Sequence, residues 1–153
     1  MKNVLKLGTF LALALAACGG AEEQADVPVV DPMATRVAPP NASVSITAPA
    51  AGSEVVGSSV TVQLAVSAMP IVPATDPTPG TGHHHLFLDV DLTDASAPVP
   101  TVPNSIIHMG DASSSFTFED VPPGEHRIIA VVADFTHFPL QPWVVDTVTF
   151  TVR

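Results

Sequence analysis

Basic residues are scarce in this chain: five Lys and Arg stand against fifteen Asp and Glu among 153 residues, a formal charge of −10. Such a surface repels phosphate backbones, which excludes nucleic acid as a partner. There is one cysteine, Cys18, so an intrachain disulfide cannot form. Beyond residue 17 no apolar run free of Pro, Gly and charge reaches the roughly 20 residues that a membrane-spanning helix needs. No segment repeats its apolar residues at the helical period, so an amphipathic helix is not expected either. Gly-x-Ser-x-Gly, HExxH and a phosphate-cradling glycine loop are missing, and with them the usual signatures of hydrolases, zinc proteases and nucleotide enzymes. A non-enzymatic role is the expectation.

The amino terminus is a targeting segment. Lys2 and Lys6 precede an apolar stretch, residues 7–15, and small residues follow as far as Cys18, the layout of a secretory signal. Leu15-Ala16-Ala17-Cys18 resembles the lipobox of bacterial lipoproteins, in which the cysteine sulfur receives a diacylglyceryl group and the new amino terminus is acylated after cleavage. One acyl chain binds a bilayer only marginally, whereas a multiply acylated cysteine anchors it stably. The lipid bilayer is therefore an expected partner through Cys18. Gly19 after the cysteine, with no aspartate there, points by the same resemblance to the outer membrane of a diderm host. Cleavage leaves three basic and fifteen acidic residues, a formal charge of −12.

Three regions follow: a signal peptide over residues 1–17, a lipidated flexible linker over 18–42 and a folded domain over 43–153. The linker assignment rests on proline, alanine and valine without any sustained period. Within the domain the period is two. Val60, Val62, Leu64 and Val66 alternate with Thr61, Gln63, Ala65 and Ser67, as on a half-buried strand. Leu86, Leu88, Val90 and Leu92 alternate in the same way with Phe87, Asp89 and Asp91, which predicts one core face and one wet face. Residues 44–47, 116–118, 127–133 and 144–152 supply further strands between turns marked by Pro49, Gly52, Gly57, Pro122-Pro123-Gly124 and Pro139. Residues 127–133 are apolar on both faces and predict a central strand. About seven short strands point to an all-β fold, an antiparallel sandwich. The stretches 49–62, 123–134 and 147–152 look like the first and last strands of bacterial immunoglobulin-like domains.

All six histidines lie in one half of the domain: His83, His84, His85, His108, His126 and His137. Imidazole titrates near neutrality and is the commonest metal ligand. Alternation puts His83 and His85 on one face of a strand, with Phe87 and Asp89, and sends His84 to the core face with Leu86. In immunoglobulin topology three loops gather at one end of the sandwich: the one before the histidine strand, the approach to the Phe116 strand, and the one after the strand ending at Asp134. His83, His85, His108, His137 and Asp134 should therefore converge and could hold a divalent ion such as copper or zinc. His126 begins its strand eight residues before Asp134, so it belongs at the opposite end. It and His84 are expected to be structural. The competing reading is a hydrogen-bonded histidine network that closes the mouth of the sandwich without an ion. The long loops over 69–82 and 93–113 flank the same end, as binding loops often do.

Gly82-His83-His84-His85-Leu86 with Asp89, then His108 and Gly110, Pro123-Gly124 with His126, and Asp134 with His137 and Pro139 are similar in order and spacing to a small family of bacterial exported proteins, domain of unknown function 4399. The resemblance spans about residues 80–152. It departs at residues 111–114, where the family has further polar residues, and at Leu140, where it has a second histidine near the proline. The family implies no known activity. Two functions fit the residues: a lipid-anchored envelope module that binds a transition metal or a small polar ligand at its histidine end, and a structural or protein-interaction module, with an envelope protein as partner, whose histidines only pack.

Overall fold

A computed structural model of the chain describes residues 33–153. The signal peptide, Cys18 and the linker up to residue 32 lie outside the described residues.

Eight strands follow in order: β1 (Ser43–Ala48), β2 (Glu54–Val55), β3 (Val60–Ser67), β4 (His83–Leu88), β5 (Ile106–Met109), β6 (Ser115–Phe118), β7 (Gly124–Ala133) and β8 (Val145–Val152). They form two sheets, β1-β3-β6 and β2-β8-β7-β4-β5. All pairings are antiparallel except β2 with β8. The architecture is the immunoglobulin-like sandwich expected from the sequence, and β7, apolar on both faces, is central between β8 and β4. Among the described residues no helix is long and apolar enough to cross a membrane.

The main core lies between the sheets. Val60, Val62 and Leu64 from β3 meet Leu86, Ile128, Ala130, Val132, Val148 and Phe150 from the opposite sheet. Burying side chains of this size contributes about 1.5–3 kcal/mol each, which makes the period-two pattern decisive for the register of every strand.

Three expectations are corrected. The outer face of β4 is not wet: His83 through Phe87 are all buried. The segment between β4 and β5 folds back over the sheet, and Val99 and Ile106 join Phe87, Ile129 and Val131 in a second apolar cluster there. The histidine strand also stops at Leu88 rather than continuing to Leu92. Asp89 turns the chain at φ +58, and its Oδ1 accepts the Arg127 N–H at 2.8 Å. Finally, the segment just ahead of residue 43, expected to be linker, is part of the folded unit. Residues Ala34–Arg36 make a 3-10 turn, Ala38 joins the main core, and the backbone is bonded to the β7–β8 loop by Ala38 N–H to Gln141 O at 2.8 Å and Gln141 N–H to Arg36 O at 2.7 Å.

Candidate metal centre

β4 carries the triple histidine between two neighbours. On one side His83, His84 and His85 pair with Ala133, Val132 and Val131 of β7; on the other His84 pairs with Met109 and His85 with His108 of β5. Cross-strand partners share a face, so His108 stands beside His85 on the outer face, with His83 two residues along. His84 points the other way, at the main core beside Leu86. His137 arrives from the β7–β8 loop, at φ +67, a left-handed conformation in which histidine is enriched.

The four outer histidines form one cluster. Every pair of rings among His83, His85, His108 and His137 has its centroids 4.8–5.8 Å apart. Nε2 of His83 and Nε2 of His85 are 3.1 Å apart. Potential ligand atoms of His83, His85 and His108 all lie within 4.8 Å of one another, a group that could hold a metal ion. Two nitrogens bound to one ion at about 2.0–2.1 Å are separated by about 2.9–3.4 Å, so the His83–His85 spacing matches the edge of a coordination polyhedron.

The rings of His83, His85, His108 and His137 come together, but His108 reaches the group by a different route from the one expected. It lies on β5, hydrogen-bonded into the sheet, rather than in a loop approaching the Phe116 strand. Gly110 makes room for it: a Cβ at that position would stand 2.8 Å from His108 Nε2 and 3.2 Å from Ala74 Cβ.

Asp134 is corrected from ligand to scaffold. Its side chain is buried, Oδ1 accepts Thr136 N–H at 2.9 Å, Thr136 Oγ1–H at 2.7 Å and Phe138 N–H at 3.0 Å, and Oδ2 accepts Thr35 Oγ1–H at 2.7 Å. A carboxylate so engaged shapes the loop that presents His137. Thr35 and Arg36, which carry part of this work, gave no signal in the sequence.

Burial and mutual repulsion hold His83, His85 and His108 below the usual imidazole range. Burial, then the neighbouring His108 and His137, pushes His83 down to about 3. Burial followed by His83, His108 and His137 takes His85 to about 2, and His108 is lowered by burial and then by His137. Neutral imidazole is the form that binds metal. No hydrogen bond reaches His83 Nδ1, His85 Nδ1 or His108 Nε2, although all three are buried. Among the described residues one hydrogen bond links these rings, between Nε2 of His83 and Nε2 of His85, so the imidazoles do not close a network among themselves.

The two remaining histidines are apart from the cluster. His84 is buried in the sandwich, lowered by burial to about 4. His126 lies at the other end of β7, where Nδ1–H donates to Asp89 Oδ2 at 2.6 Å and Nε2–H to the Pro122 carbonyl at 2.7 Å. Both partners are acceptors, so both ring nitrogens carry protons. Burial opposes that charge, but the hydrogen bonds to Asp89 and Pro122 outweigh it and raise the pKa. A surface concavity of about 680 Å³ opens beside His126, Asp89 and Phe150, away from the clustered histidines.

Residues 62–153 match the model of a family described as "Domain of unknown function (DUF4399)". No curated protein matches the chain. Among solved structures it is similar to an engineered protein from the Northeast Structural Genomics Consortium, with 12% identity and a TM-score of 0.42 over 76% of this chain and 21% of that one. A lytic polysaccharide monooxygenase of Jonesia denitrificans, solved by neutron crystallography, gives 17% identity and a TM-score of 0.38 over 69% of this chain and 60% of that one. The chain thus spans about a fifth and three fifths of the lengths of these two proteins.

Proposed function

The chain belongs to the DUF4399 family, and we propose that it is a non-enzymatic envelope lipoprotein that binds one divalent transition-metal ion through the imidazoles of His83, His85, His108 and His137. One observation carries this reading: ligand nitrogens from three strand-borne histidines lie within 4.8 Å of each other while the rings are held neutral by their surroundings. An all-imidazole donor set suits copper, zinc and nickel and is poor for calcium or magnesium, which require oxygen. Copper(II) should bind most tightly by the Irving–Williams order, with zinc the alternative. The anchor is Cys18 in Leu15-Ala16-Ala17-Cys18, which would hold the domain at a membrane surface, the outer membrane in a diderm host.

Isothermal titration of Cu(II), Zn(II) and Ni(II) into the chelator-stripped full chain in detergent tests the site. One equivalent at micromolar or tighter affinity is expected, lost when His83 and His85 are both replaced by alanine in a variant whose circular dichroism shows it still folded. Absence of binding near neutral pH would leave the structural or protein-interaction reading in its place. Anchoring is tested separately: Cys18→Ala should move the protein from the membrane pellet to the supernatant, and a variant that stays in the pellet would refute the lipid anchor.

A further inference from the structure

Of the clustered histidines, only His137 is not held by a strand. It lies in the β7–β8 loop, and that loop is shaped by Asp134, whose backbone oxygen accepts His137 N–H at 2.8 Å and whose Oδ1 accepts the N–H groups of Thr136 and Phe138 on either side of the histidine. The second carboxylate oxygen is committed elsewhere. Thr35, 99 residues earlier in the chain, donates its hydroxyl to Oδ2 at 2.7 Å, and Arg36 Nε lies 3.9 Å from the same atom. The Arg36 guanidinium also covers the Phe138 ring, 3.4 Å from its centroid. Backbone bonds between Arg36, Ala38 and Gln141 pin the far side of the loop. Thr35 and Asp134 are each 1% exposed, so their hydrogen bond is shielded from competing water, where such bonds are strongest.

These contacts place the N-terminal segment on both flanks of the loop-borne ligand. Resting on the metal reading above, we propose that residues 35–37 are a clamp that positions His137 as the fourth ligand, and that release of this segment converts a retentive four-imidazole site into a three-imidazole site that gives up its ion. Thr35 and Arg36 are then positioning residues, acting on the ion through Asp134 and Phe138. Groups one step removed from a metal typically change its affinity by about 10–100-fold when lost.

The test uses the full chain loaded with Cu(II), with release to excess EDTA followed by stopped flow and the nitrogen hyperfine pattern read by electron paramagnetic resonance. Thr35→Val and Arg36→Ala, singly and together, should release Cu(II) about 10–100-fold faster than the parent and lose one nitrogen from the spectrum. Thr35→Ser, which keeps the hydroxyl, should restore both readouts. His126→Gln, which weakens the fold at the opposite end, should leave both unchanged and so separates positioning from general destabilisation. Parental rates and spectra in the Thr35 and Arg36 variants would overturn the clamp while leaving the metal site standing, as would equal acceleration by His126→Gln. A parent chain that takes up no Cu(II) would overturn the metal reading itself, and the clamp with it.

Discussion

Gly110 leaves the space that the His108 ring fills. A methyl group there would stand 2.8 Å from His108 Nε2, well inside van der Waals contact, and it would meet Ala74 Cβ at 3.2 Å on its other side. The ring must swing, because the backbone around it is fixed by the pairing of His85 with His108 and by Ala74 N–H donating to Gly110 O at 2.9 Å.

Gly110→Ala is therefore expected to weaken Cu(II) or Zn(II) binding by at least about tenfold, the lower end of what misplacing a metal ligand costs. The apo fold should lose no more than about 1–2 kcal/mol, since the displaced ring is only partly buried and the substituted residue adds one methyl group. Isothermal titration and urea unfolding of the same variant check the two halves. Unchanged affinity would mean that His108 is not a ligand.

Much of this site is legible in the sequence because it depends on alternation. Once residues 83–88 are a strand, His83 and His85 must share a face, and once immunoglobulin topology holds, residues after the 127–133 strand must return beside them. The position of His108 was not legible. β5 is four residues long and follows a stretch containing Pro98, Pro100 and Pro103, too short to display a period. Asp134 was misread for a chemical reason: a carboxylate that binds metal and one that accepts four hydrogen bonds are the same residue in sequence. The clamp was hidden by composition, because residues 33–42 have the prolines and small residues of a linker, and their docking is a tertiary event. The outer face of β4 was read as wet because Asp89 and Asp91 continue its alternation, although the strand ends before them.

His126 should contribute to stability and be irrelevant to metal. Its two N–H groups satisfy Asp89 and the Pro122 carbonyl, tying the start of β7 to the turn after β4 in a chain that has no tyrosine to place at such a corner. His126→Ala strands the Pro122 carbonyl in a half-buried setting and should cost about 1–3 kcal/mol. Asp89 is partly exposed, so water recovers some of its share. Cu(II) affinity should stay within about twofold of the parent, measured by titration at a temperature where both proteins are folded. A large loss of affinity would mean that the two ends of β7 are coupled.

Acid should unfold this protein through its histidines, and the sign differs between the two ends of the sandwich. His83, His84 and His85 are held at about 3, about 4 and about 2 in the folded state, all below the unfolded value near 6.5. Their contribution is therefore present above about pH 6.5 and lost as pH falls from there towards the folded values, because the unfolded chain binds protons that the folded chain refuses. Each such group removes about 1.4 kcal/mol per pH unit in that window, so three together remove about 4 kcal/mol per unit. A domain of ordinary stability, about 5–15 kcal/mol, would be exhausted between about pH 5 and pH 3. His126 acts in the opposite sense: its raised pKa stabilises the fold below about pH 6.5 and loses that contribution as pH rises through the folded value. The expected record is a steep acid transition, followed by circular dichroism, with uptake of about three protons. In the histidine ring spectra His126 should lose its proton after His83, His84, His85 and His108 as pH rises. His84→Leu, which replaces the inner histidine with an apolar side chain of similar volume, should make the transition shallower by about one proton and move it to lower pH. An acid transition of unchanged steepness in that variant would show that His84 is protonated in the folded state after all.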